Sequence, residues 1–293
     1  MTIAGLYLSP EGVVLGADST SSVPSAQGGA LHFFDFTQKV FEIGEGGTMG
    51  LITWGLGGLG DLSYRTLLAL LADELLVKPA ESILDVANRW IERFWDSYEA
   101  SDLVKRYRLL EQKGAHDPNA PQSNARTEQE EGEFQNLNAA VGVGFCIAGY
   151  VLPSRTPVAV AMRFHPTSGK PAPQAVTPHS LSWWGVPNFL NRLLFGIDPS
   201  LLEAVLASGK WNGSKEDLQA LVNDHTIAPA VLPIRDAIDY VYSCIHCTIK
   251  AMKFSPLPQV CGGPIEVAVI TTDRKFRWVR HKKWDAAITD GEL

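Results

Sequence analysis

Along the first forty residues the apolar positions come in short runs closed by turn residues, a pattern that predicts strands. Ile3 to Leu8 is apolar, Ser9-Pro10-Glu11-Gly12 is a turn and residues 13–17 are β-rich, so 3–17 reads as a hairpin. Residues 21–30 read as a small-residue loop, and strand-like stretches follow at 39–43 and 48–54 around Gly44, Gly46 and Gly47. The period then lengthens. Leu62, Leu67, Leu68, Leu71, Leu75 and Leu76 recur at helical spacing. A second helix is predicted from about Ser82 to about Leu110, with Ile83, Val86, Ala87, Trp90, Ile91, Phe94 and Trp95 on one broad face.

Residues 111–136 are polar and hold Pro118, Pro121, Gly114 and Gly132, which predicts a loop or disordered insertion. Strands resume directly after it, so the insertion is expected to interrupt one domain spanning 1–293. A second pair of strands is predicted at 141–152 and 158–164, and a further strand at 175–184. Helices are expected near 187–208, 214–224 and 234–252. Residues 265–272 and 276–280 form a closing hairpin around Asp273. Runs of like elements favour antiparallel sheets with helices layered on them over βαβ winding. The predicted class is α+β, as four layers in the order α-β-β-α.

Composition narrows the function. Of 293 residues, 45% are apolar and 19% charged, enough for a sizeable core. A net charge of −7, from Lys+Arg 25 against Asp+Glu 32, argues against a dedicated nucleic-acid binder. No apolar run reaches the roughly 18 residues of a membrane span. The opening Met1-Thr2-Ile3-Ala4-Gly5 has neither a basic start nor a cleavage-site pattern, so no secretory signal is expected. Cys146, Cys244, Cys247 and Cys261 are too scattered for a disulfide framework, and a cytoplasmic chain is expected.

Three stretches imitate known chemistry. Gly55-Leu56-Gly57-Gly58-Leu59-Gly60 satisfies the dinucleotide pattern after a strand, but the following helix leads into a second helix and not a parallel strand. Those glycines equally suit a close backbone approach, such as an oxyanion hole with N–H groups from a helix start. Cys244-Ile245-His246-Cys247 has metal-ligand spacing with no second pair to complete it, on a helical pattern where cysteines act as small hydrophobes. Residues 274–284 mix Arg and Lys with Phe276, Trp278 and Trp284, which suits a single-strand binder or, as the commoner use, a protected edge strand.

The amino terminus offers chemistry of its own. Once Met1 is removed, Thr2 combines a hydroxyl nucleophile with a free α-amine, whose ordinary pKa of about 7.7–8.0 lets it accept the hydroxyl proton near neutrality. A nearby cation would favour the neutral amine, and a carboxylate would hold the cation. No cofactor or metal is expected for such a site.

Thr2-Ile3-Ala4-Gly5 followed by residues 12–19 (GVVLGADS) resembles the opening of proteasome β-type subunits, which are N-terminal nucleophile (Ntn) hydrolases. Gln38-Lys39-Val40-Phe41-Glu42-Ile43 resembles their lysine-bearing strand. Gly55-Leu56-Gly57-Gly58-Leu59-Gly60-Asp61 is similar to their oxyanion turn, and residues 262–271 (GGPIEVAVIT) to their penultimate strand. The likeness runs the length of the chain and implies an αββα sandwich. It implies Thr2 as nucleophile with its own amine as base, Lys39 tuning that amine, Asp18 orienting Lys39 and the Gly57 N–H stabilising the oxyanion. Cys261 stands where the family has a supporting serine, and Ser182 takes the place of another supporting hydroxyl. An alternative register puts Met1 at the nucleophile position, with one extra residue in the 9–12 turn.

The implied activity is threonine-type peptide-bond hydrolysis through an acyl-enzyme. The implied assembly is a homo-oligomeric ring or stack acting on polypeptides, without nucleic acid or membrane and with any ATPase partner unspecified. The polar insertion and long helices resemble a divergent branch nearer the bacterial proteasome-like proteins. A catalytically inactive structural subunit and an amidohydrolase for small amides are the competing readings.

Overall fold

In the computed structural model the described residues are 2–24, 31–60, 62–116, 124–225, 231–256 and 259–282. Met1, Asp61, Leu257, Pro258, Lys283 and Trp284 lie outside them, as do 25–30 of the expected loop and 117–123 of the expected insertion. In chain order the elements begin with β1 (Ile3–Ser9), β2 (Gly12–Ala17), β3 (Ser21–Pro24), β4 (Leu31–Phe34), β5 (Val40–Glu42) and β6 (Met49–Gly55). Helices α1 (Tyr64–Val77), α2 (Ile83–Ala100), α3 (Asp102–Glu111) and α4 (Glu128–Ala140) follow. Strands β7 (Val143–Gly149), β8 (Val158–Phe164), β9 (Gln174–Ala175) and β10 (Ser180–Gly185) come next. Helices α5 (Asn188–Phe195), α6 (Pro199–Ala207), α7 (Lys215–Asp224) and α8 (Ile234–Phe254) precede β11 (Glu266–Thr271) and β12 (Arg274–Arg280).

The chain divides into two compact units. The first comprises 1–38, 179–269 and 278–293. Its sheet has the order β10-β1-β2-β11-β12, and β1 runs antiparallel to both β2 and β10. Every residue of β1 and β2 is buried, which is why they read as near-continuous apolar runs rather than alternating ones. Helix α8 lays Val241, Cys244 and Ile245 against Ile3, Tyr7 and Val14 of this sheet. Gly16 permits that approach: a Cβ there would sit 2.7 Å from Val241 Cγ1 and 2.8 Å from Ile245 Cδ1.

The second unit comprises 39–178 and 270–277, around the sheet β5-β6-β7-β8-β9. Helix α2 covers β7 and β8 through an aromatic cluster in which Phe94 meets Phe145 and Phe164 edge-on at 4.7 Å. Two five-stranded sheets, each with its own helices, give the predicted α+β class.

Five local expectations change. The loop expected at 21–30 begins as strand, since Ser21–Pro24 form β3 and pair with β4. The helix expected to run from Ser82 to Leu110 breaks at Ser101, whose extended backbone (ψ 144) lets its hydroxyl cap α3 by accepting the Val104 N–H. The helix near 187–208 is two helices, because Gly196 at φ 73 ends α5 and Asp198 caps α6 ahead of Pro199. The strand expected at 175–184 is two strands in different sheets, β9 beside β8 and β10 beside β1.

The polar insertion is not loop throughout: its second half forms α4, started by a capping box between Thr127 and Glu130. Before it, the buried Arg126 donates to Leu110 O at 2.9 Å, Lys113 O at 3.0 Å and Glu131 Oε2 at 2.7 Å, over the Phe134 ring. Polarity hid this helix. None of its residues is fully buried, so it lacks the apolar stripe by which helices are read.

Candidate active site

In the first unit the site starts from the β1–β2 hairpin. A two-residue turn, Pro10-Glu11, sets the register, which pairs Ser9 with Gly12 and Ala4 with Ala17. One step beyond, Ile3 and Asp18 face each other: Asp18 N–H donates to Ile3 O at 3.1 Å and Ile3 N–H donates to Asp18 Oδ1 at 3.0 Å. Thr2 is therefore the residue immediately past the last clamped peptide, and it is buried at 2% exposure. On its other side Thr2 O accepts the Val186 N–H at 2.9 Å. Gly185, at φ 94, makes that contact possible, since a Cβ there would fall 1.7 Å from Thr2 O.

Asp18 is fully buried and is more than a turn residue. Its Oδ2 accepts the N–H groups of Gly262 at 2.9 Å and Thr20 at 3.2 Å. Gly262 O in turn accepts the N–H groups of Ser19 and Thr20. Cys261 is fully buried next to Gly262, so it belongs to the segment that grips Asp18. Ser182 is placed differently. The β1–β10 register sets it opposite Leu6, four positions along the strand from Val186, or about 13 Å at about 3.3 Å per residue. The structure brings Thr2, Asp18 and the Cys261–Gly262 segment together and leaves Ser182 apart from Thr2.

A cluster that sequence reading missed lies behind Asp18. Lys282 donates to Glu266 Oε2 at 2.9 Å, Thr37 O at 3.0 Å and Ser19 Oγ at 3.3 Å, using all three of its protons. Glu266 has no exposed surface, and His281 Nδ1 lies 2.7 Å from its Oε1. The signal in the sequence was the single acid in the apolar run 265–270, since a buried carboxylate demands a partner.

The second unit holds Lys39 and Gly57. Lys39 immediately precedes β5 and is buried at 5% exposure, whereas a solvated edge lysine would stand in water. Its carbonyl accepts the Thr53 N–H at 3.0 Å. Gly57 lies in the exposed connection between β6 and α1, and among the described residues its N–H donates to no backbone or side-chain acceptor. Gly55, at φ 89, lets the connection pass residue 142, where a Cβ would fall 2.2 Å from Gly142 O. Helix α1 begins only at Tyr64, capped by Ser63, so its N-terminal amides do not open at the glycines as the sequence pattern suggested. Strand β6 is antiparallel to β5 and β7, which removes the dinucleotide reading, since that motif needs parallel strands.

The remaining look-alikes resolve into structure. Cys244 is buried in the α8 core face, where burial pushes its thiol up to about 11, while Cys247 is exposed. The basic-aromatic segment forms β12 at a sheet edge, with Arg280 over the Tyr242 ring and Trp278 stacked on His281.

This fold has solved counterparts. A Gly-1 mutant of Anbu from Hyphomicrobium sp. strain MC1 is 10% identical with a TM-score of 0.50, over 98% of this chain and 89% of that one. Anbu (ancestral beta-subunit) from Yersinia bercovieri is 12% identical with a TM-score of 0.48, over 96% and 88%. A further Anbu structure from the Hyphomicrobium strain is 10% identical with a TM-score of 0.48, over 97% and 88%. At such identities the likeness is one of fold. No protein-family model matches the sequence, and no curated protein matches it.

Proposed function

We propose that the chain, read as one Ntn-hydrolase domain over 1–293, is a proteasome-like threonine peptidase. The observation that carries this reading is the Asp18 clamp. A fully buried carboxylate holds the peptide N–H of Ile3 and so fixes Thr2 at the head of a central strand. The burial of Lys39 supports it, because a lysine kept from water has a role that an edge lysine lacks.

In this mechanism the bond before Thr2 is first cleaved, freeing the α-amine. Thr2 Oγ1 attacks the scissile carbonyl carbon while the amine takes the hydroxyl proton, and the carbonyl oxygen becomes an oxyanion. The Gly57 N–H stabilises that charge, a contribution of about 3–4 kcal/mol for one such donor. Collapse expels the leaving amine, which takes the proton back from the Thr2 ammonium, and leaves an ester on Thr2. Water, deprotonated by the same amine, then hydrolyses the ester. Lys39 keeps the amine neutral by its positive charge, and Asp18 orients Lys39. Polypeptides are the substrates, enclosed by a homo-oligomeric ring or stack.

The test is hydrolysis of a fluorogenic peptide by wild type, Thr2→Ser and Thr2→Ala. Retained but reduced turnover in Thr2→Ser with none in Thr2→Ala supports the reading. Equal turnover in all three proteins contradicts it.

A further inference from the structure

The geometry points to Tyr64 as a positioning residue for the oxyanion donor, acting through the Leu56–Gly57 peptide; this inference rests on the peptidase reading. Tyr64 opens α1, and its hydroxyl reaches back across the glycine connection to donate to Leu56 O at 2.5 Å. Leu56 O and Gly57 N–H belong to one planar trans peptide and point in opposite directions. A donor that fixes the carbonyl on one side therefore fixes the direction of the Gly57 N–H on the other. It also polarises the peptide, which makes that N–H a stronger donor.

The neighbouring parts of the connection have partners of their own. Leu56 N–H donates to Gly142 O at 3.0 Å, which anchors the previous peptide. Beyond it, Leu59 is buried in the core and exchanges N–H···O bonds with Leu62 at 3.3 and 3.5 Å, so the chain is held on both sides of the Leu56–Gly57 peptide and the Tyr64 hydroxyl holds the peptide itself. Tyr64 itself cannot swing. Its ring is 4% exposed and is locked edge-on against Phe94 at 5.8 Å and Phe145 at 5.2 Å. Burial raises the pKa of its hydroxyl, so it remains a donor wherever the Thr2 amine titrates. A tyrosine placed only to fill the core would be served equally well by phenylalanine, which has no hydroxyl to satisfy.

The experiment compares wild type with Tyr64→Phe, which keeps every ring contact and deletes one oxygen. Turnover of a fluorogenic peptide is expected to fall on the order of 10-fold in kcat with KM nearly unchanged, since misplacing a donor penalises the transition state and not substrate binding. Affinity for a peptide aldehyde, whose hemiacetal oxygen occupies the oxyanion position, is expected to weaken by a similar factor. Thermal stability is measured alongside. A Tyr64→Phe protein with wild-type kcat and aldehyde affinity overturns the inference, whatever its stability.

Failure of the peptidase reading is separable. If wild type neither hydrolyses peptides nor binds the aldehyde, that reading fails and the catalytic part of this inference falls with it. The pinning of the peptide is then decided by the 13C chemical shift of the Leu56 carbonyl, which accepts the Tyr64 hydroxyl. An upfield move in Tyr64→Phe, as expected when a carbonyl loses a hydrogen bond, sustains the pinning, and an unchanged shift overturns it.

Discussion

Asp18 illustrates how one side chain combines structural and chemical duties. Its two oxygens take three backbone N–H groups from separate segments, Ile3, Thr20 and Gly262. Asp18→Asn replaces one acceptor oxygen with a donor NH2, leaving buried amides unpaired at about 1–3 kcal/mol. A lowered unfolding midpoint together with lost peptide turnover is the expected result, read by chemical denaturation and kinetics.

Lys282 offers a contrast at the same scale. Lys282→Met strands the fully buried Glu266 without its lysine, a loss of about 3–5 kcal/mol when one member of a buried pair goes. The double variant with Glu266→Met is expected to recover much of that stability in denaturation curves, because the carboxylate's need for a partner disappears with it. The cysteines give a third residue-scale prediction. Native protein treated with iodoacetamide should be modified at exposed Cys247 and spared at Cys244, whose thiol burial holds up near 11.

Elements, more than residues, show what a sequence reveals. The β1–β2 hairpin was legible because a turn cluster separates two apolar runs, and α1 and α8 were legible because their apolar residues keep helical spacing. What escaped was set by contacts with no local trace. Strand pairing splits 175–184 between two sheets, and that switch is a tertiary choice. Helix α4 escaped because capping and the Arg126 ion pair hold it, not an apolar face. The candidate site was partly legible in the same way. Thr2 was marked by its place behind Met1, and Asp18, Lys39 and Gly57 by the resemblance their short motifs carry, whereas Gly185, Lys282 and Tyr64 matter through side-chain and backbone contacts that no such motif records. One consequence belongs to packing between elements: Gly16→Ala drives a methyl into Val241 and Ile245 of α8. The expected cost is about 1–3 kcal/mol of overpacking, measurable as a drop in Tm.

At the scale of the whole molecule, acid stability follows from two depressed carboxyls. Hydrogen bonds from Arg126, then Gln135 and the His116 amide, hold Glu131 down to about 2. The Ser200 hydroxyl, then the Leu201 amide and Arg192, hold Asp198 down to about 2. Both are lower in the folded state than their ordinary values of 4.5 and 3.8, so their contribution is complete above those values. It is lost as the pH falls toward 2. Denaturation midpoints should decline steadily from pH 5 to pH 2, and Arg126→Met should flatten that decline. The net charge of −7 is also a whole-molecule property, and it argues against a dedicated nucleic-acid binder.

Whether Thr2 becomes a free amino-terminal nucleophile is read from the intact mass of the purified protein before and after a peptide epoxyketone. That warhead closes a ring using both the hydroxyl and the amine of one residue. A mass that begins at Thr2 and a single adduct that maps to it are expected. A mass that retains Met1, with no adduct, would contradict the peptidase reading and leave a structural subunit of the same fold.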